Sequence, residues 1–284
     1  MLGWFGFAVA AMVFYAAQNF LLKATVEKKC NPASIMAVFM ATAAVIAVTA
    51  ALITGDTLVN DWNLFVVFAV INGSLFLAGS IARLESLKYI PLVMVYPIKK
   101  MDVALASLVG IAFFGETLTA AQALGVVLAI AVVWLLARDK KADKPKDFTK
   151  GVALILLAVL LFTGTDVVLK PAATAGSVYV FVALSYGLML LPSLLLRKRV
   201  GKGRNASLET TAKWGIAIGV INFFAITSLL SALKTGALST VFPITALAVP
   251  LAGALGVIFY KEQLTPNRII AVLLAVAVLV LMSM

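Results

Sequence analysis

The sequence predicts an all-α polytopic membrane protein, with about ten transmembrane helices arranged as two inverted five-helix repeats. Three observations lead there. Of the 284 residues, 63% are hydrophobic and only 12% are charged, whereas a soluble domain is apolar over roughly half its residues. The apolar residues fall into runs, each close to the ~20 residues a helix needs to cross the hydrocarbon core. A stretch of roughly thirty-five residues also occurs twice. Leu84-Glu-Ser-Leu-Lys-Tyr-Ile-Pro-Leu-Val-Met-Val-Tyr-Pro-Ile, running on to Gly110 and Phe113-Phe-Gly-Glu-Thr-Leu-Thr119, aligns without a gap with Leu230-Ser-Ala-Leu-Lys, Val241-Phe-Pro-Ile, Gly256 and Phe259-Tyr-Lys-Glu-Gln-Leu-Thr265.

The first half gives apolar spans at 2–22, 33–53, 62–87, 91–114 and 120–137, and the second repeats the order at 151–169, 178–196, 214–233, 237–260 and 266–282. These runs are apolar on every face, which suits helices, since barrel strands alternate apolar and polar residues. Residues 1–137 thus form one repeat and 151–284 the other, joined by the charged linker 138–150, Arg-Asp-Lys-Lys-Ala-Asp-Lys-Pro-Lys-Asp and onward. Each half holds an odd number of spans, so the second enters the membrane in the opposite direction to the first.

The net charge of +11 does not indicate nucleic acid, because the basic residues sit in short segments between apolar runs. Lys28, Lys29, the linker, and Arg197-Lys-Arg with Lys202, Arg204 and Lys213 share one side; Asp56, Asp61 and Glu116 lie opposite, with Lys170 and Lys234. The positive-inside rule puts the basic loops in the cytoplasm and both termini outside, in a cytoplasmic (inner) membrane. The first run lacks a basic leader and continues past signal-peptide length through Tyr15, Gln18 and Asn19, so it reads as a helix. One cysteine and no histidine exclude an intramolecular disulfide and any imidazole chemistry, and no cofactor or metal is expected.

Leu87-Lys-Tyr-Ile-Pro, Val95-Tyr-Pro-Ile, Gly110, Phe113-Phe-Gly-Glu-Thr-Leu-Thr and Gln122-Ala-Leu-Gly resemble the drug/metabolite transporter superfamily, in particular its ten-helix, two-repeat EamA-type members. The first half is also similar to the small multidrug resistance proteins, which pair as antiparallel dimers. The resemblance covers the whole chain in span order. It implies a secondary transporter with a central cavity lined by the first four helices of each half, and it does not name a substrate. A chain carrying both repeats needs no second copy to complete its cavity. Small multidrug resistance proteins carry a carboxylate in the first helix about two turns before a lysine similar to Lys23. Here Tyr15 occupies that place, with Phe162 before Lys170 in the second half, so cation export by that carboxylate is not expected. Where that family has a cavity tryptophan, this chain has Lys99.

Lys99, Lys100 and Asp102 lie well inside an apolar run, too deep to snorkel, where an ionisable group costs several kcal/mol unless paired or hydrated. Lys99 and Asp102 are one turn apart and are expected to pair. Lys100 then needs a partner, for which an anionic ligand group and a packing network with Arg83, Glu85 or Asp166 are both candidates. Pro97 and Pro243 free carbonyls one turn back and kink their helices. The second repeat has Thr245, Ala246 and Ala248 at the matching positions, so one wall of the cavity is cationic and the other neutral. Tyr15, Tyr96 and Phe242 are candidate apolar contacts; Asn19, Asn72, Asp166, Asn222 and Thr245 are candidate polar ones.

Other features read as scaffold. Thr119 with Gln122 forms a capping box, Thr265-Pro266 an N-cap with proline at the first position, and Gly215 with Gly219 a small-xxx-small pair. Gly110 and Gly256 also read as close-contact glycines, and Glu116 and Glu262 as interfacial. The leading expectation is an alternating-access exporter or exchanger of a small polar or amphiphilic metabolite with an anionic group. The alternatives are a translocator of a phosphate-bearing lipid-linked headgroup and, remotely, an intramembrane aspartyl enzyme using Asp102 and Asp166.

Overall fold

A computed structural model describes residues 3–86, 89, 98–99, 101–137, 148–196, 206–252 and 266–283. Among these, the helices are α1 (Trp4–Glu27), α2 (Pro32–Thr54), α3 (Trp62–Ser86), α4 (Met101–Phe114), α5 (Ala120–Ala137), α6 (Phe148–Ala175), α7 (Val178–Leu196), α8 (Leu208–Thr235), α9 (Leu238–Ala246) and α10 (Pro266–Ser283). Helices α1, α2, α3, α6, α7 and α8 are each long and apolar enough to cross a membrane. Expected spans 91–114 and 237–260 fall partly outside the described residues, at 91–97 with Lys100 and at 253–260.

Helix starts follow local chemistry. Asn31 Oδ1 accepts from the N–H groups of Ala33 and Ser34 at 3.0 and 3.2 Å, with Pro32 supplying the first helical residue of α2. Asp61 Oδ1 does the same for Asn63 and Leu64 at α3, and Ser207 caps α8 through the Thr210 N–H. The capping box at α5 is reciprocal: Gln122 N–H donates to Thr119 Oγ1 at 3.2 Å, and Thr119 N–H to Gln122 Oε1 at 3.1 Å. Each cap satisfies N–H groups that the first turn leaves free. Thr265 and Gly256 lie outside the described residues.

The most extensive helix contacts run between the halves, not within them: α3 on α6, α1 on α8, α2 on both α7 and α8, α5 on α10, and α4 on α9. Exchanging each helix for its counterpart five places along maps α3–α6 onto α8–α1 and leaves α2–α7, α4–α9 and α5–α10 unchanged, which is the signature of a pseudo-twofold axis. Gly215 and Gly219 let α8 lie directly on α2, since a Cβ at either would come within 2.6 Å of Val38 or Thr42. The core combines alanines of α1 and α2, including Ala8, Ala11, Ala16, Ala43 and Ala47, with Ile35, Met36, Phe39 and Met40 of α2 and bulky residues from α7, α8 and α9. Small side chains permit the close helix approach on which packing in a membrane depends.

Loop contacts fix the inversion. The α2–α3 loop bridges to the α6–α7 turn through Asn60 N–H to the Ala175 carbonyl at 3.0 Å and Ser177 N–H to the Leu58 carbonyl at 2.9 Å. On the other side the α7–α8 and α1–α2 loops meet at Ala206 N–H to the Lys29 carbonyl. Loops of the two halves share a side only if the halves run in opposite directions. The side with the α2–α3 and α6–α7 loops is called the terminal face below, because α1 begins there.

Candidate functional site

The charged cluster of the first repeat assembles on α6. Lys99 Nζ lies 2.5 Å from Asp102 Oδ2, the i,i+3 pair expected from spacing. Asp102 is fully buried; its Oδ1 accepts the Val103 N–H at 2.8 Å, and Lys99 is the counter-charge to its other oxygen. Lys99 Nζ also sits 4.6 Å above the Phe162 ring, with the Arg83 guanidinium 5.6 Å from the same centroid. An aromatic face attracts cations most where water is excluded, so Phe162 helps hold a cationic pair of residues in an apolar setting. Tyr96, Pro97 and Lys100 lie outside the described residues.

Beside this cluster runs a ladder of rings. Phe76 contacts Phe162 at 6.0 Å, Tyr186 at 6.1 Å and Phe39 at 6.4 Å, and Phe39 meets Tyr186 edge-on at 6.0 Å. These distances suit offset and edge-to-face packing. The ladder ends in amides: Tyr186 Oη donates to Asn222 Oδ1 at 2.8 Å, and Asn222 Nδ2 donates to Gln18 Oε1 at 3.1 Å. A buried chain with each member bonded is the low-cost way to keep polar groups in a core. Tyr15 lies within electrostatic reach of Tyr186 and Asp166, while Asn19 is half-buried on α1. Asn72 is buried, and its Oδ1, like the Ser185 hydroxyl on α7, has no protein partner among the described residues.

In the second repeat, the positions matching Lys99 and Asp102 are polar only at Thr245, whose hydroxyl donates to the Phe242 carbonyl at 2.8 Å. Every residue of α9 from Leu238 to Ala246 is buried. The helix continues through Pro243 and is interrupted at Leu247. Pro243 frees the Ser239 carbonyl, and the Ser107 hydroxyl of α4 lies 3.5 Å from it.

Glu116 departs from its expected interfacial role. It follows α4 in the first repeat yet caps α9 in the second: Oε1 accepts the Leu238 N–H at 2.6 Å and Oε2 the Ser239 N–H at 2.8 Å. Lys170 donates to the Gly236 carbonyl beside it. Gly110 is a close-contact glycine for this carboxylate first, because a Cβ there would strike Glu116 Oε2. Free N–H groups at the start of a buried helix attract an anion, and Glu116 supplies it from the other half of the chain.

Sequence reasoning did not single out Gln18, Phe39, Phe76 or Tyr186. Gln18 had a usable signal: Ala8, Ala11, Tyr15 and Gln18 share one face of α1 at helical spacing. That stripe is inconspicuous because its apolar members are alanines.

The fold and site together define a polytopic membrane carrier built from two inverted five-helix repeats around a polar and aromatic centre. The chain belongs to the EamA-like transporter family, whose pattern it matches twice, over residues 2–138 and 149–284. A solved crystal structure is similar over 99% of this chain and 98% of its own, with a TM-score of 0.78 and 16% sequence identity, a likeness of fold. Among curated proteins none matches.

Proposed function

We propose that this chain is a secondary active transporter, an exporter or exchanger, that moves a small amphiphilic metabolite bearing a carboxylate or phosphate by alternating access between its inverted repeats. One observation carries the reading: the charge asymmetry across the pseudo-twofold axis. The Lys99–Asp102 pair rests on Phe162 in one half, and a neutral, self-bonded Thr245 holds the matching place in the other. The two helices occupy equivalent places, so a costly buried charge kept in only one points to cargo. An anionic group of the substrate exchanges with Asp102 for Lys99 and meets Lys100, while the Phe76 and Tyr186 rings flank its apolar part. The Asn222–Gln18 amides and the Asn72 oxygen supply hydrogen bonds that fix its orientation.

The test is flux in proteoliposomes against amino acids, organic phosphates and quaternary amines, with and without a proton gradient. Uptake of an anionic or zwitterionic solute, lost in Lys99→Met, supports the reading. Uptake confined to quaternary amines overturns it.

A further inference from the structure

We infer that Glu116, Lys170 and the first turn of α9 form a releasable seal that closes the translocation pathway on the terminal face. The inference rests on the alternating-access reading for its place in transport.

Four observations point to it. First, the contact joins the halves: the carboxylate belongs to the first repeat, and the helix start and lysine belong to the second. Second, it is polar in a molecule held together chiefly by apolar packing. Two N–H···carboxylate bonds and a lysine–carbonyl bond can each be exchanged for a bond to water, so opening costs far less than tearing apart a dry interface of that area. Third, the Ser239 hydroxyl just behind the carboxylate is fully buried with no partner among the described residues. Such a group is costly while closed and gains a bond once water enters, which favours opening when the carboxylate leaves.

Fourth, the two faces are unequal. α6 packs against α8, with Lys170 of α6 reaching Gly236 at the terminal-face end of α8, and the Asn60–Ala175 and Ser177–Leu58 loop bonds lie on the same face. The symmetry-related pair, α1 and α3, makes no comparable contact among the described residues. A pseudo-symmetric molecule whose related helix pairs differ in this way is closed at one end more than at the other, and Glu116 sits at the closed end. Gly110 gives the carboxylate its place, because any side chain there would occupy it.

The test is cysteine labelling at the buried position behind the seal. Ser239→Cys is introduced in a Cys30→Ala background, reconstituted in oriented vesicles, and treated with a cationic, membrane-impermeant methanethiosulfonate from the terminal face. The modification rate should rise about tenfold or more in Glu116→Gln, which weakens two charge-assisted bonds. It should rise similarly in Gly110→Ala, which displaces the carboxylate without removing it, and less in Lys170→Met. Asp61→Ala removes a cap made within one repeat on the same face and should leave the rate unchanged.

Size-exclusion elution and thermal melting confirm that each variant is folded, and Gly110→Ala gives the answer alone if Glu116→Gln does not fold. An unchanged rate in a folded Glu116→Gln or Gly110→Ala variant overturns the seal, as does an equal rise in Asp61→Ala. Labelling requires no substrate, so its result bears on the seal alone and flux bears on the transporter reading.

Discussion

Helices α4 and α9 occupy equivalent places in the two repeats and pack on each other across the pseudo-twofold axis, but they meet opposite demands. α4 carries Asp102 with Lys99 one turn before it, and the pair lies against Phe162 of α6. α9 has no charge from Leu238 to Ala246, is buried along that whole length, and borrows an anion from Glu116. The difference separates two uses of charge inside a membrane protein. In α4 the charge is a buried side chain, Asp102, paired with the lysine one turn before it. In α9 the charge is a cap on the backbone, where its task is to satisfy N–H groups at a boundary. On the proposed reading, the same repeated sequence serves selection in one copy and closure in the other.

The largest effect should come from the charged residues Lys99, Lys100 and Asp102. Lys100→Ala is expected to lower flux at least ~100-fold, the scale of losing a charge pair worth roughly 3 kcal/mol, with folding intact; normal flux in that variant would remove the lysine from the mechanism. Asp102→Ala leaves Lys99 without its carboxylate in a largely dry setting, and should destabilise the protein by about 3 kcal/mol or more. Chemical denaturation in mild detergent measures it, and a loss below about 1 kcal/mol would mean that water already reaches the pair. The matched change in α9, Thr245→Val, removes only a self-directed hydroxyl and should alter both flux and stability little.

Two further substitutions probe regions both halves need. Gly219→Ala forces a methyl group toward the Phe39 carbonyl and Thr42, at a cost of roughly 1–3 kcal/mol, seen as a lower melting temperature. Thr119→Ala removes one half of the α5 capping box and should cost about 1 kcal/mol with flux per folded molecule unchanged. If Thr119→Ala reduced flux more than Lys100→Ala, selection would not reside in the lysine–aspartate cluster.

Much of the fold was legible in the sequence because its determinants are local or periodic. Span length, the repeated motif, the odd number of spans per half and the capping box at Thr119 each depend on nearby residues. The Lys99–Asp102 pair was legible for the same reason, being one turn long. What was not legible depends on residues far apart in sequence. Glu116 looked interfacial because its partners are backbone N–H groups in the other half, and no side-chain pattern marks them. Tyr186, Asn222 and Gln18 come from α7, α8 and α1, and their order along the chain gives no hint that they form one chain of bonds. Phe162 looked like a lost carboxylate site; only the packing of α4 on α6 makes it a platform for Lys99.

The dominance of contacts between halves has a consequence for how the chain is made. As the first five helices leave the ribosome and enter the bilayer, their main packing partners, α6 to α10, have not been synthesised. The early product is therefore a set of inserted helices waiting for company, with the Lys99–Asp102 pair not yet covered by α6 and the small-residue faces of α1 and α2 unshielded. Tertiary structure forms when the second half arrives from the other direction. Halves expressed as separate polypeptides should then find each other in the membrane, whereas either half alone should be cleared by membrane proteases.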